Sequence, residues 1–252
     1  MALSIVLAAL SGCGTASFAE VASSQAVPGV TSAGTTPPAG TAPPTTAPPT
    51  TAPMTTMPGA AGVTPAWVTP PAPAQTFVVI GDSITAGLSP FNDAEVPGPT
   101  SWVPFAEGAP LAFDGGWASA GATTAAMRAG AAVSGADQLV LMGGTNDLLT
   151  GLDWTATRAN LVDVVAIVGV PDVLLCAIPP LDQQPQARSE FNVRLAELAA
   201  EQGWDYVDPW TGVEAAGTFV AAASEDGVHP TPEVAAAVGD QIRGQLLLGM
   251  QG

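Results

Sequence analysis

Between residue 14 and about residue 75 the chain carries one charged side chain, Glu20, and is dominated by Ala, Thr, Pro, Gly and Ser, in runs such as TTPPAGTAPPTTAPPTTAPMTTMP. Thirteen of the 25 prolines fall there. Pro removes backbone donors, and Thr, Ala and Gly offer little apolar surface, so the segment cannot offset the entropy lost on ordering. An extended tether is expected over residues 14–75. Folding is thereby confined to residues 76–252, about 177 residues, a common size for one domain with a single core. That part holds 21 of the 22 acids and all five basic residues, a net of −16 out of −17 for the whole chain.

The charge balance removes several functions. A polyanion without a basic stripe repels phosphate backbones, so no nucleic-acid partner is expected. The basic residues are all arginine, at 128, 158, 188, 194 and 243, which leaves no lysine for a Schiff base or a phosphate-binding loop. Two cysteines and one histidine cannot build a Cys/His zinc site. No metal or other cofactor is expected, and the acidity reads as a solubility feature of an external protein.

Residues 1–12, MALSIVLAALSG, are apolar and end in small residues directly before Cys13. The run is too short for a membrane span, which needs about 20 apolar residues, and reads as an export signal over 1–13. Leu10-Ser11-Gly12-Cys13 resembles the bacterial lipobox, whose cysteine is lipidated, although no Lys or Arg precedes Cys13; the alternative is an ordinary cleaved signal. Either way an exported protein is expected, anchored by lipid at Cys13 on the outer face of a bacterial cytoplasmic membrane, or secreted. A monomer is expected, touching membrane only through that anchor.

In the remainder, short continuous apolar runs alternate with longer helical stretches. The runs are 77–80, 138–142, 173–178 and a weaker 204–207, and continuous runs indicate strands covered on both faces. Helices are expected near 123–133, 154–168, 186–202 and 232–247, the last with Thr231 as N-cap and Pro232 at its first position. The alternation implies an α/β/α sandwich on a five-stranded parallel sheet, with the remaining strand near 116–120. Ligands in such sheets bind beyond the carboxyl ends of the strands, so the residues just after each run carry the information.

After the first run stands Gly81-Asp82-Ser83, which turns the chain and exposes a serine at a helix start, where backbone N–H groups and the helix dipole favour negative charge. A plain turn with a serine cap has the same pattern. After the 138–142 run stands Gly143-Gly144-Thr145-Asn146-Asp147, whose Asn146 amide can reach across strand ends or simply cap a loop. Asp226-Gly227-Val228-His229 places a carboxylate three residues before the only histidine, just ahead of the last helix.

Taken together, these blocks resemble the SGNH/GDSL hydrolase superfamily over about 77–247. Ser83 matches its nucleophile block, and Gly121 in Ala118-Ser119-Ala120-Gly121-Ala122 its glycine block. Asn146 matches its asparagine block, and Asp226 with His229 its Asp-x-x-His block. Ile178-Pro179-Pro180 and Asn192 are further similar features. The usual leucine after the block serine is Ile84 here, and the asparagine often found upstream of the block glycine is absent from Gly116-Trp117-Ala118-Ser119.

The resemblance implies a flavodoxin-like α/β/α fold and an ester hydrolase. Ser83 would be the nucleophile, His229 the general base and Asp226 its orienting partner. The Ser83 and Gly121 backbone N–H groups and the Asn146 amide would form the oxyanion hole. The substrate is expected to be a glycan or lipid ester, or another small-molecule ester. Alternatives are an acyltransferase using the same serine and a non-catalytic envelope-binding module.

Other residues read more plainly. Asp82 and Asp147 are expected to hold loops by hydrogen bonds. Trp102, Phe105, Phe113, Trp117 and Trp154 suit either packing or a pocket wall. Cys176 lies inside an apolar run and reads as an inert core residue.

Overall fold

The computed structural model describes residues 75–89, 91, 92 and 97–250. The signal, Cys13 and the tether lie outside the described residues, except Gln75, which opens the first strand. In chain order the elements are β1 (Gln75–Gly81), α1 (Ser83–Ala86), β2 (Phe91–Asn92), α2 (Val103–Ala106), β3 (Leu111–Ala118), α3 (Thr124–Gly130), β4 (Gln138–Met142) and α4 (Thr145–Thr150). There follow α5 (Trp154–Val168), β5 (Asp172–Cys176), α6 (Pro185–Gln202), β6 (Asp205–Val207), the short pair β7 (Glu214–Ala215) and β8 (Thr218–Phe219), and α7 (Pro232–Gly249).

Five parallel strands lie in the order β3-β1-β4-β5-β6, as the alternation of runs and helices predicts. The two-residue β2 adds an antiparallel edge, pairing Phe91 with Ala118 and Asn92 with Trp117. The strand expected near 116–120 in fact runs from Leu111 to Ala118. Its centre, Asp114-Gly115-Gly116, breaks the apolar run, and Asp114 points to solvent. The register against β1 also slips there, between Phe77↔Phe113 and Val79↔Gly116.

Side chains alternate across the sheet, and both faces are covered. Phe77, Val79, Val140, Met142, Leu174 and Cys176 pack on one face with residues of α2 and α7. Val78, Ile80, Leu139, Leu141, Val173 and Leu175 pack on the other with residues of α3, α5 and α6. Burying each such side chain contributes about 1.5–3 kcal/mol. Thr231 is the N-cap residue of α7 and Pro232 its first helical residue, although the Thr231 hydroxyl makes no capping bond.

This topology sets the site. The loops after β3 and β4 flank the turn after β1, because β1 lies between those two strands.

Candidate active site

The chain turns at Gly81, where any Cβ would collide with the Thr85 side chain. Asp82 caps the next turn, its Oδ1 accepting the Ile84 N–H at 3.0 Å. Ser83 follows, half-buried, as the first residue of α1. That helix is a single turn, so the expected dipole contribution reduces to the local N–H groups.

His229 Nε2 lies 2.9 Å from Ser83 Oγ, and His229 Nδ1 lies 2.7 Å from Asp226 Oδ2. The other carboxylate oxygen, Asp226 Oδ1, accepts the backbone N–H groups of Val228 at 2.9 Å and His229 at 2.8 Å. Partial burial pushes the Asp226 carboxyl up, but the hydrogen bonds from the His229 backbone, the His229 ring and the Val228 backbone outweigh it and hold it at about 2. An ionised Asp226 keeps the proton of a neutral imidazole on Nδ1 and leaves Nε2 as acceptor toward Ser83.

The loop that carries this pair is closed on itself. Thr231 N donates to Ala223 O at 3.0 Å, and Gly227 N donates to Ser224 Oγ at 2.9 Å. The segment after β5 grips it as well: Asp182 N donates to Gly227 O at 3.0 Å, while Asp182 Oδ1 accepts the Phe219 N–H at 2.8 Å.

Gly121, in the loop after β3, is exposed and has φ +73°, with open space where a side chain would stand. Its backbone conformation therefore calls for glycine, and its surroundings leave the main chain accessible. From β4, on the far side of β1, Asn146 donates its Nδ2 to Ala122 O at 3.0 Å. This bond spans the end of β1 and brings Asn146 to the residue next to Gly121. One Nδ2 hydrogen is used in it, and the amide carries a second.

Asp82 and Asp147 do hold loops, as expected. Asp147 is buried and accepts Thr124 N at 2.8 Å, Thr124 Oγ1 at 2.5 Å and Thr157 Oγ1 at 3.1 Å, tying α4 to α3 and α5. Asp82 is also buried. Its Oδ2 and Thr145 Oγ1 are both sealed from solvent without a well-formed hydrogen bond. Burial pushes the Asp82 carboxyl up to about 6, against the opposing pull of the Ile84 N–H and the Thr145 hydroxyl.

The aromatic residues serve packing in the main. Trp102 is buried and donates Nε1 to Thr85 Oγ1 at 3.2 Å. Phe113 tilts against Phe77 at 5.7 Å, and Trp154 meets Phe191 edge-on at 5.4 Å. Trp117 lies over Gly130, while Phe105 is partly exposed. None of the five lines the cavity beside His229, described below. Cys176 is a buried free thiol, and burial pushes its pKa up, the mark of an inert residue.

Two supporting residues carry little sequence signal. Arg188 is buried, pairs with Asp208 and Glu214, and donates Nε to the Ile178 and Pro179 carbonyls at 3.2 Å. Asn192, noted in the sequence only as a family-like residue, accepts the Ile178 N–H at 3.0 Å and donates to Ile178 O at 3.2 Å. Both fix the bend after β5. An arginine and an asparagine inside an amphipathic helix look like surface residues until the fold turns them inward.

The family model described as GDSL-like Lipase/Acylhydrolase matches residues 79–237. No curated protein matches the chain significantly. Among solved structures, a lipolytic protein of the G-D-S-L family from Veillonella parvula is 22% identical with a TM-score of 0.55, over 69% of this chain and 99% of that one. A GDSL-like lipase from Bacteroides thetaiotaomicron is 16% identical with a TM-score of 0.52, over 70% and 89%. An acetyl esterase solved with an acetate ion is 16% identical with a TM-score of 0.51, over 70% and 98%. At these identities the structural likeness establishes the fold.

Proposed function

Because this chain belongs to the GDSL-like lipase/acylhydrolase family, matched over residues 79–237, we propose that it is an exported serine esterase that removes an acyl group from a carbohydrate or lipid ester at the cell envelope. The observation that carries this reading is the unbroken chain of contacts from Ser83 Oγ through the His229 ring to Asp226, at 2.9 and 2.7 Å.

In the mechanism this supports, His229 Nε2 takes the Ser83 proton as Oγ attacks the ester carbonyl. Asp226 stabilises the imidazolium that forms and remains ionised itself. Negative charge builds on the former carbonyl oxygen, within reach of the Ser83 and Gly121 N–H groups and the free Asn146 hydrogen. His229 returns the proton to the leaving alcohol, and the acyl-serine is cleared by water activated in the same way. Removing one oxyanion donor from such a site typically costs about 2.7–4 kcal/mol of barrier.

Export and anchoring rest on the 1–13 signal and Cys13; a lipid at Cys13 and the long Thr/Pro-rich tether would hold the enzyme within reach of the envelope. The substrate class is tested by a hydrolysis profile over p-nitrophenyl esters of increasing chain length together with acetylated sugars. Turnover of acetyl esters or acetylated sugars supports the carbohydrate arm, and a preference rising with chain length the lipid arm. Absence of all ester turnover contradicts the proposal.

A further inference from the structure

A second feature adjoins the triad. On the flank of His229 opens a cavity of about 280 Å³, walled by Leu88, Thr100, Glu225, His229, Pro230 and Pro232. Neither Gly121 nor Asn146 lines it, so it is separate from the oxyanion side of Ser83. The alcohol oxygen of an ester must come within hydrogen-bond reach of His229 Nε2 to receive its proton. The cavity on that flank is therefore where the rest of the alcohol goes.

Its walls are specific in two ways. Leu88 is 79% exposed and has φ +74°, directly after Gly87 at φ +62°. A leucine held in the left-handed region and in water is unfavourable on both counts, and such strain persists mainly at functional sites. With Pro230 and Pro232 it supplies an apolar face. The charge in the cavity is all of one sign, from Glu225 and Asp226. The arginines are engaged elsewhere: Arg128 with Asp163, Arg158 with Glu201, Arg188 with Asp208 and Glu214, Arg194 over the Trp154 ring, and Arg243 on the Ala106, Gly108 and Ala109 carbonyls. The sequence has no lysine.

We infer that this cavity is the leaving-alcohol subsite and selects an uncharged alcohol with an apolar face, such as a sugar ring, over one bearing phosphate or carboxylate, with Leu88 and Glu225 as specificity-determining residues. The inference rests on the serine esterase reading.

Phenyl acetate and its meta-carboxylate and meta-trimethylammonium derivatives share one acyl group and differ in the charge of the leaving alcohol. At low ionic strength kcat/KM for the neutral ester should exceed that for the anionic one by about threefold or more, with the cationic ester no worse than the neutral. At about 1 M salt the difference should collapse. Glu225→Gln should remove most of the discrimination. Glu197→Gln, at an exposed carboxylate on α6 outside the cavity, should leave it intact. Leu88→Gly relieves the left-handed strain, so it should raise KM for the neutral ester without lowering Tm.

Equal kcat/KM for the neutral and anionic esters overturns the inference, as does the same response to Glu225→Gln and Glu197→Gln, or an unchanged KM in Leu88→Gly. Should Ser83→Ala keep its activity, the esterase reading falls first. Hydrolysis that depends on Ser83 but ignores leaving-group charge removes the subsite alone.

Discussion

Asn146 donates its side-chain amide to the carbonyl oxygen of Ala122 at 3.0 Å, across the end of the strand that leads to Ser83. One bond thus spans the loops after β3 and β4 and sets the spacing of Gly121 and Asn146. Under the proposed mechanism, Asn146→Ala removes both an oxyanion donor and the strut between the two loops. A fall in kcat of about 10²–10³ is expected, with a much smaller change in KM, since the donor acts on charge that develops only in the transition state. Steady-state kinetics on a p-nitrophenyl ester checks this.

Asp147, the next residue, has a different task. Its carboxylate accepts from three buried donors of Thr124 and Thr157, so Asp147→Ala leaves the Thr124 N–H and hydroxyl without their acceptor, while the Thr157 hydroxyl keeps a longer bond to the Asp153 carbonyl at 3.3 Å. The expected loss is about 2–4 kcal/mol of folding stability, read by urea unfolding. Asp147→Asn, which keeps an acceptor, should lose less.

Asp82 makes stability depend on pH in an unusual direction. Its folded pKa of about 6 lies above the unfolded value of 3.8. Below about 3.8 both states hold the proton, and the contribution is fully present. Between 3.8 and 6 only the folded state holds it, so stability falls as pH rises, by at most about 3 kcal/mol. Asp82→Asn keeps the cap acceptor without a charge to bury. The variant should therefore gain on the natural protein as pH rises from 4 to 7. Equal pH dependence of Tm in the two proteins contradicts this.

Asp226 behaves in the opposite sense. Its folded pKa of about 2 lies below 3.8, so its contribution is present above pH 3.8 and is lost as pH falls through 2. Asp226 therefore stays ionised across the working range. Asp226→Asn should lower kcat by about 10²–10⁴, by misplacing the imidazole proton.

The architecture was legible because four apolar runs stand apart from the helices that separate them. β3 begins earlier than the apolar pattern indicates because Asp114-Gly115-Gly116 interrupts that pattern, and β2 is too short to carry any. The sequence marks Ser83, Asn146, Asp226 and His229 as candidates, since each falls just after a strand or before the last helix, and marks Gly121 only through the family resemblance. Their contacts needed the fold: no spacing rule tells that Asn146 reaches Ala122, or that Asp182 grips Gly227. Arg188 was invisible for the same reason, because burial of a charge on one helix face depends on the loops that close over it.

The central claim is that Ser83 carries the acyl group. Incubation with a fluorophosphonate probe, followed by intact mass and peptide mapping, tests it directly alongside ester turnover. The account predicts one adduct on Ser83, lost together with hydrolysis in Ser83→Ala while the circular dichroism spectrum is unchanged. A folded Ser83→Ala protein that still hydrolyses esters at the natural rate, or an adduct elsewhere, would contradict it.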